Sequence, residues 1–347
     1  MPRKSRIDAV GALHHVITRG IEGGKIYKDD ADRQNFLDRL GTIVKETATR
    51  CYAWALIPNH FHLLLKTGQA PIATVMRRLL TGHAVYYNRR HRRYGHLFQN
   101  RYKSILCQKD SYLLQLVRYI HLNPLRAGLV SSLDALDRSV TSGHSTLMGR
   151  RKNDWQDSGG VLRLFADKRS LARRRYRLFV KNGIAEGRRD DLVGGGLVRS
   201  SGGWSAVKAM RAFKVFQKAD ERILGDGEFV ERVLAEAEDQ LKRKYALQAA
   251  GVDLNQVADK VCEILKLNCT ELWAPGKQRR RVQARSLLCY WACRELGISM
   301  AALSRKLNIS ESAVSLSVKR GERRRGVRSL ILTKWKCYAY KVPWRDH

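Results

Sequence analysis

The segment CYAWALIPNHFHLLLK, Cys51 to Lys66, is a long apolar run interrupted at Pro58-Asn59. Proline presets a turn backbone and asparagine tolerates left-handed conformations, so the run reads as two strands joined by a tight turn. Side chains alternate along a strand, which puts His60 and His62 on one face and Phe61 on the other. Their Cα atoms would lie roughly 7 Å apart, within reach of one shared ion. Two imidazoles on one face of an otherwise apolar hairpin suit a divalent metal of borderline character, with positions left open for substrate oxygens.

The surrounding 150 residues alternate strand and helix signals. LHHVITRG (13–20) reads as a strand. In KDDADRQNFLDRLGTIVKE (28–46), Phe36, Leu37, Leu40 and Ile43 recur at helical spacing after an acidic first turn. IATVMRRLLTGHAVYYNRR (72–90) reads as a helix and HLFQNRYKSILC (96–107) as a strand. DSYLLQLVRYIHLN (110–123) reads as a helix opened by Asp110 and stopped by Pro124. These elements predict an α+β domain, an antiparallel sheet with helices packed on one face, over residues 1–150. A basic helical extension and linker, residues 151–250, follows and includes the Gly-rich stretch Gly194 to Trp204. Residues 251–347 read as a mostly helical C-terminal region. Seven scattered cysteines with no CxxC pair point to a reducing cytoplasm. Cys289 and Cys293, four apart, read as buried small apolar residues. No run is apolar enough to span a bilayer, and the N-terminus lacks the apolar block of a secretory signal.

Sixty-six Lys and Arg face thirty-two Asp and Glu, a formal charge of +34. Such self-repulsion calls for an anionic partner, and nucleic acid is the first candidate. From Thr47 to Leu133 the only carboxylate is Asp110. That span holds Arg77, Arg78, Arg89, Arg90, Arg92, Arg93, Arg101 and Lys103, interleaved with Tyr86, Tyr87, Tyr94, Phe98 and Tyr102. Cations beside aromatic faces neutralise phosphates and stack splayed bases, so these residues are candidate contacts to single-stranded DNA.

A second constellation lies in YLLQLVRYIHLNP. Leu113, Leu116, Val117 and Ile120 form an apolar stripe, with Tyr112, Gln115, Tyr119 and Asn123 beside it. Tyr119 and Asn123 are four apart and share a helix face, about 6 Å apart along the axis. The proline after Asn123 is expected to free its carboxamide as an oxygen ligand. His121, two positions from Tyr119, should face away.

Together PNHFHLLL and YIHLNPLRAGLV, with GHLFQNRYKS between them, resemble the single-tyrosine HUH transposases, and most closely their REP-associated relatives. The resemblance covers roughly residues 8 to 150. It implies a ferredoxin-like fold and a divalent ion, Mg or Mn, held by His60 and His62, with Asn123 completing the site where transposable-element relatives carry Gln. It also implies that Tyr119 is the nucleophile. The expected activity is cleavage and rejoining of single-stranded DNA at hairpin-forming, REP-like repeats through a 5′-phosphotyrosine and a free 3′-hydroxyl, without ATP. An unperturbed tyrosine has a pKa near 10, so only about one in a thousand is phenolate at neutral pH, and the metal must stabilise charge at the phosphate. Phenolate leaves more readily than an alkoxide, which suits a reversible cut.

MAALSRKLNISESAVSLSVKRGERRR (300–325) looks like a helix-turn-helix. Leu303, Leu307 and Val314 would pack it, Asn308 would make the turn and Ser310 would cap the second helix. Ser315, Ser317 and Lys319 become candidate groove-facing residues. The arrangement is loosely similar to the DNA-binding domain of the bacterial replication initiator, and implies duplex DNA as a second partner. The expected protein is a cytoplasmic, nucleoid-associated monomer or homodimer with no membrane partner. Two other readings compete: a repeat-binding or transcription-regulating DNA-binding protein whose cleavage is weak or lost, and an RNA-binding protein indifferent to metal.

Overall fold

The expected hairpin forms: β2 (Arg50–Ile57) and β3 (His60–Lys66) flank Pro58-Asn59 and pair antiparallel, Ala55 opposite His62 and Ile57 opposite His60. In the computed structural model, residues 7–322 are described apart from 9–10, 69, 188, 195–219, 250 and 277. Most of the Gly-rich stretch and all of residues 326–347 lie outside the described residues. The chain divides into two units, Met1–Val233 and Leu234–His347.

In the first unit, β1 (Leu13–Arg19), α1 (Asp30–Glu46), β2, β3, α2 (Ile72–Arg90), β4 (Lys103–Cys107) and α3 (Lys109–His121) follow in order. Then come the short helices α4 (Asn123–Arg126), α5 (Leu133–Arg138), α6 (His144–Leu147) and α7 (Ser158–Leu162), the longer α8 (Arg169–Asn182), and β5 (Ile223–Leu224). The sheet order is β2-β3-β1-β4-β5. It is antiparallel except that the two-residue β5 joins β4 in parallel, so the sheet is mixed rather than wholly antiparallel.

Helices cover both faces of the sheet, not one. Val16, Trp54, Phe61, Leu63 and Leu65 pack with Phe36, Leu40 and Ile43 of α1 and Ile72, Val75, Met76 and Leu79 of α2. Leu13, Ile17, Ala53, Ala55, Leu64 and Ile105 pack with Leu113, Leu116, Val117 and Ile120 of α3 and with Ala172, Tyr176 and Val180 of α8. Near-continuous apolar strands such as β2 and β3 need cover on both sides. For the same reason the expected boundary at residue 150 cuts through one core: α8 lies beyond it, yet its i, i+4, i+8 stripe completes the layer over α3.

Helix ends follow local chemistry. The Asp29 side chain caps α1 by accepting from the backbone N–H of Asp32. For α3 the N-cap is Gln108, without a side-chain cap, so Asp110 sits inside the first turn rather than opening it. Pro124 lies in the first turn of α4, which has no use for its missing N–H; Leu122 between the helices keeps helical dihedrals (φ −81°, ψ −9°). The strand expected over 96–107 is shortened to Lys103–Cys107, with Phe98 held in an isolated bridge to Gly20.

The second unit takes most of α9 (Gly227–Ala249), then α10 (Leu254–Leu265), α11 (Cys269–Trp273), α12 (Arg279–Arg294), α13 (Met300–Leu307) and α14 (Glu311–Glu322). Asp253 and Gln256 form a reciprocal capping box at α10. Val257, Val261, Leu272, Leu287, Leu288, Leu303, Val314 and Val318 make its core. Asn308 is left-handed (φ 49°) between α13 and α14, and the Ser310 hydroxyl accepts from the Ala313 N–H at 3.2 Å, both as expected. Cys289 is buried and its thiol is pushed up to about 12 by that burial, which fits an apolar packing residue. Among the described residues no helix is long and apolar enough to cross a membrane.

Candidate active site

His60 and His62 project from β3 onto the sheet face that α3 covers, and their ring centroids lie 5.3 Å apart. Tyr119, from α3, sets its ring edge-on to His62 at 5.7 Å. It is 8% exposed, at the rim of the core. The hairpin histidines and the distant tyrosine therefore converge. Arg19 stands opposite His60 across the β1–β3 ladder, and Lys103 sits opposite Ile17, which in turn pairs with His62.

The electrostatics favour neutral rings. Burial lowers His60 to about 4, with Arg19 contributing. His62 is driven well below its ordinary value by burial first, then by His15, His60 and Arg19. Desolvation penalises the charged form, so both imidazoles keep a lone pair at neutral pH. His60 lies 2.8 Å from the Asn59 side-chain oxygen through Nδ1, which therefore donates and leaves Nε2 as the basic nitrogen.

Asn123 behaves differently from its expectation. The proline after it does not free its carboxamide. The amide nitrogen donates to the carbonyls of Tyr119 (3.1 Å) and Ile120 (3.3 Å), tying off the end of α3 and leaving only the oxygen end to meet a ligand. Arg126 uses the same helix end: its guanidinium donates to the Tyr119 carbonyl at 3.2 Å and lies 5.3 Å over the Tyr119 ring. A cation there favours the phenolate form electrostatically. His121 points into the core, as expected, with Nδ1 2.7 Å from the Tyr176 hydroxyl.

A divalent cation at this place would be held by His60 and His62, with the Asn123 oxygen the third donor that the resemblance implies. The donor chemistry fits: two neutral imidazoles and one amide oxygen. Among the described residues no group of three His, Cys, Asp or Glu side chains could hold a metal by itself.

The candidate DNA contacts divide. Arg77, Arg89, Arg92 and Arg101 are exposed. Arg78 is paired with Glu46. Arg90 is bound to Asp29 and Asp32, Arg93 to the His96 carbonyl, and Lys103 to the Val193 carbonyl. Because α2 packs on the face opposite α3, the sheet separates its arginines from Tyr119. The loop holding Arg92, Tyr94 and Arg101 is closer: the Gln99 N–H donates to the carbonyl of Arg19, the residue opposite His60. Tyr94 is 93% exposed, whereas Tyr87 and Tyr102 are buried core residues rather than stacking platforms.

In the second unit Ser315 and Lys319 are half-buried, and Ser317 is buried against α12 in the lining of the groove between α12 and α14. The packed side of α14 is Val314, Ser317, Val318 and Gly321, one helical stripe. Gly321 is required there because a Cβ would come 2.3 Å from the Ser286 carbonyl of α12. Leu316 and Arg320 are the exposed residues instead, and with Arg279 and Arg285 they line a groove of about 740 Å³.

Sequence reasoning passed over His15, whose Nε2 lies 2.9 Å from His62 Nδ1 and whose ring is 6.0 Å from Tyr119. Alternation alone puts it on the face of Leu13 and Ile17, but finding its neighbour required knowing that β1 pairs with β3.

Residues 10–123 match the family described as "Transposase IS200 like", a match that spans β1 to Asn123 and so includes His60, His62 and Tyr119. No curated protein matches the chain. Among solved structures, a REP-associated tyrosine transposase bound to a REP hairpin matches at a TM-score of 0.36 and 15% identity, over 45% of this chain and 91% of that one. The family match supports a transposase-like function.

Proposed function

We propose that the protein is a metal-dependent DNA strand transferase that cleaves and rejoins single-stranded DNA at hairpin-bearing repeats through a covalent bond to Tyr119. The observation that carries this reading is the meeting of Tyr119 with the neutral His60–His62 pair on one sheet face, inside the matched residues.

In the proposed step the Tyr119 oxygen attacks the scissile phosphorus, the bond to the 3′-oxygen breaks, and the phenolic proton is lost as the 3′-hydroxyl forms. A bound Mg or Mn ion supplies charge neutralisation on the non-bridging oxygens. Asn123 and Arg126 grip the carbonyl of Tyr119, fixing the end of α3 from which the nucleophile projects. The Arg126 guanidinium beside the ring lowers the cost of the phenolate. Arg19 adds positive charge on the same face for the phosphate. The exposed Arg92, Tyr94 and Arg101 loop provides cations and one fully presented aromatic ring for unpaired bases. A duplex-binding role for the second unit is favoured by the arginines that line the α12–α14 groove.

The test is incubation of the full chain with single-stranded hairpin DNA and Mn, followed by a denaturing gel. A protein–DNA adduct that disappears in Tyr119→Phe supports strand transfer, and sequencing the trapped ends gives the polarity. Duplex binding with no adduct from the unmodified protein would leave a repeat-binding or regulatory protein.

A further inference from the structure

We propose that His15 is a positioning residue that fixes the tautomer of His62, so that His62 turns an unprotonated Nε2 toward the cation and phosphate. The inference rests on the strand-transfer reading of the site.

The proton positions follow from one acceptor. His15 Nδ1 lies 3.0 Å from the Leu192 carbonyl oxygen, which can only accept, so His15 carries its proton on Nδ1. The ring is wholly buried and therefore neutral, which leaves His15 Nε2 as an acceptor. That nitrogen faces His62 Nδ1 at 2.9 Å, so His62 must donate from Nδ1. A neutral His62 with its proton on Nδ1 has its lone pair on Nε2. His60 reaches the same tautomer independently, through Asn59. The two histidines thus offer the same nitrogen, as a pair binding one ion would. Both nitrogens of His15 are committed to hydrogen bonds, so it is not a third ligand. Its ring stacks on His62 at 5.2 Å with 27° between planes, which also restrains the rotation of the His62 ring.

The anchor comes from outside the matched residues. Leu192 is buried, and the next carbonyl, Val193, accepts from Lys103 at 2.7 Å. The short turn Asp190–Val193 therefore holds both His15 and a cation on the same face as His62. Partners that orient ligating histidines in this way typically govern metal affinity by 10–100-fold.

Two substitutions separate orientation from packing. In His15→Gln the side-chain oxygen reaches the place of Nε2 and still accepts from His62. In His15→Asn the side chain reaches only the place of Nδ1 and leaves His62 without an acceptor. The readouts are Mn affinity of the full chain without DNA, followed by electron paramagnetic resonance of the free ion, and the His62 tautomer by long-range proton–nitrogen correlation in protein carrying ¹⁵N-histidine. We expect His15→Asn to weaken Mn binding by about 10–100-fold and to mix the His62 tautomers, with His15→Gln within a few-fold of the unmodified protein. Unchanged Mn affinity in His15→Asn, or a loss in both variants alike, overturns the proposal. The unmodified protein tests it as well: a His62 proton on Nε2 refutes it even if neither variant folds. A fixed tautomer and Mn binding without any DNA adduct would sink strand transfer and leave the role of His15 standing.

Discussion

Replacing Tyr176 by Phe removes one oxygen and should orphan two imidazoles. Arg177 donates to Asp137 at 2.7 Å, and His144 Nε2 meets the other Asp137 oxygen at 2.8 Å. His144 Nδ1 and His121 Nδ1 each lie 2.7 Å from the Tyr176 hydroxyl. The carboxylate can only accept, so His144 carries its proton on Nε2 and its Nδ1 must accept from the tyrosine. The single hydroxyl proton is then used, and the oxygen accepts from His121 Nδ1–H. All three side chains are buried. Tyr176→Phe therefore leaves one acceptor and one donor unpaired, at about 1–3 kcal/mol each, or about 2–6 kcal/mol in total. An ordinary hydrogen bond would cost only about 1 kcal/mol. The assay is hydrogen exchange by mass spectrometry on the peptides of α3 in the full chain, which reports local opening without assuming that the two units unfold together. A loss of opening free energy below about 1 kcal/mol would refute the shared-hydroxyl assignment. The pH dependence has a definite sign. His121 lies well below its ordinary 6.5 because of burial first and His144 second. It stays neutral in the fold while the unfolded chain takes up a proton, so stability is lost as pH falls below 6.5. His121→Phe should reduce that slope, while His15, His60, His62, His83 and His144, also held low, keep the remainder.

Arg92→Ala or Arg101→Ala should weaken single-strand binding and reduce the salt slope by about 0.7 each, with stability changed by less than about 0.5 kcal/mol. Arg90→Ala should instead lower the melting temperature, because it strips a cation from the fully buried Asp32; equal effects on binding and stability for Arg92 and Arg90 would contradict the ion-pair assignments. In duplex binding, Arg320→Ala should reduce the salt slope by about 1 while Ser317→Ala leaves it unchanged, checked by fluorescence anisotropy against salt. A fragment ending at residue 150 should fail to unfold cooperatively in urea, whereas one ending at 233 should do so.

The strands and helices of the first 123 residues were legible because each declares itself locally. The turn at Pro58-Asn59, the stripe of Phe36, Leu37, Leu40 and Ile43, and the alternation of His60, Phe61 and His62 need no knowledge of the rest of the chain. The convergence of Tyr119 on His62 was readable only through family resemblance, since nothing in either segment sets the distance between them. Three features escaped because they are tertiary. His15 looked like any strand residue until β1 was set beside β3. Asn123 appeared to be released by Pro124, yet helical dihedrals at Leu122 keep its amide within reach of the α3 carbonyls. Tyr176 lies in an arginine-rich helix whose charge concealed its Ala172, Tyr176, Val180 stripe. In the second unit, choosing Ser317 as exposed misread a helix whose buried side is set by Gly321 against Ser286.

The absence of carboxylates from Thr47 to Leu133, save Asp110, takes on meaning beside this geometry. The donor set proposed for the cation, His60, His62 and Asn123, carries no charge. Arg19 flanks it on β1, Lys103 on β4, and Arg126 lies over the nucleophile. A divalent ion meets these positive neighbours, and its proposed donor set brings no carboxylate to offset them. The missing negative charge is available from one source in the proposed reaction, the DNA phosphate itself. Substrate and cation then supply each other's counter-charge, and each must raise the affinity of the other by the same factor. A carboxylate in the donor set would hold the ion more firmly in the free protein, but it would repel the phosphate that the same arginine and lysine attract. A donor set without a carboxylate therefore suits a site whose metal and substrate arrive together.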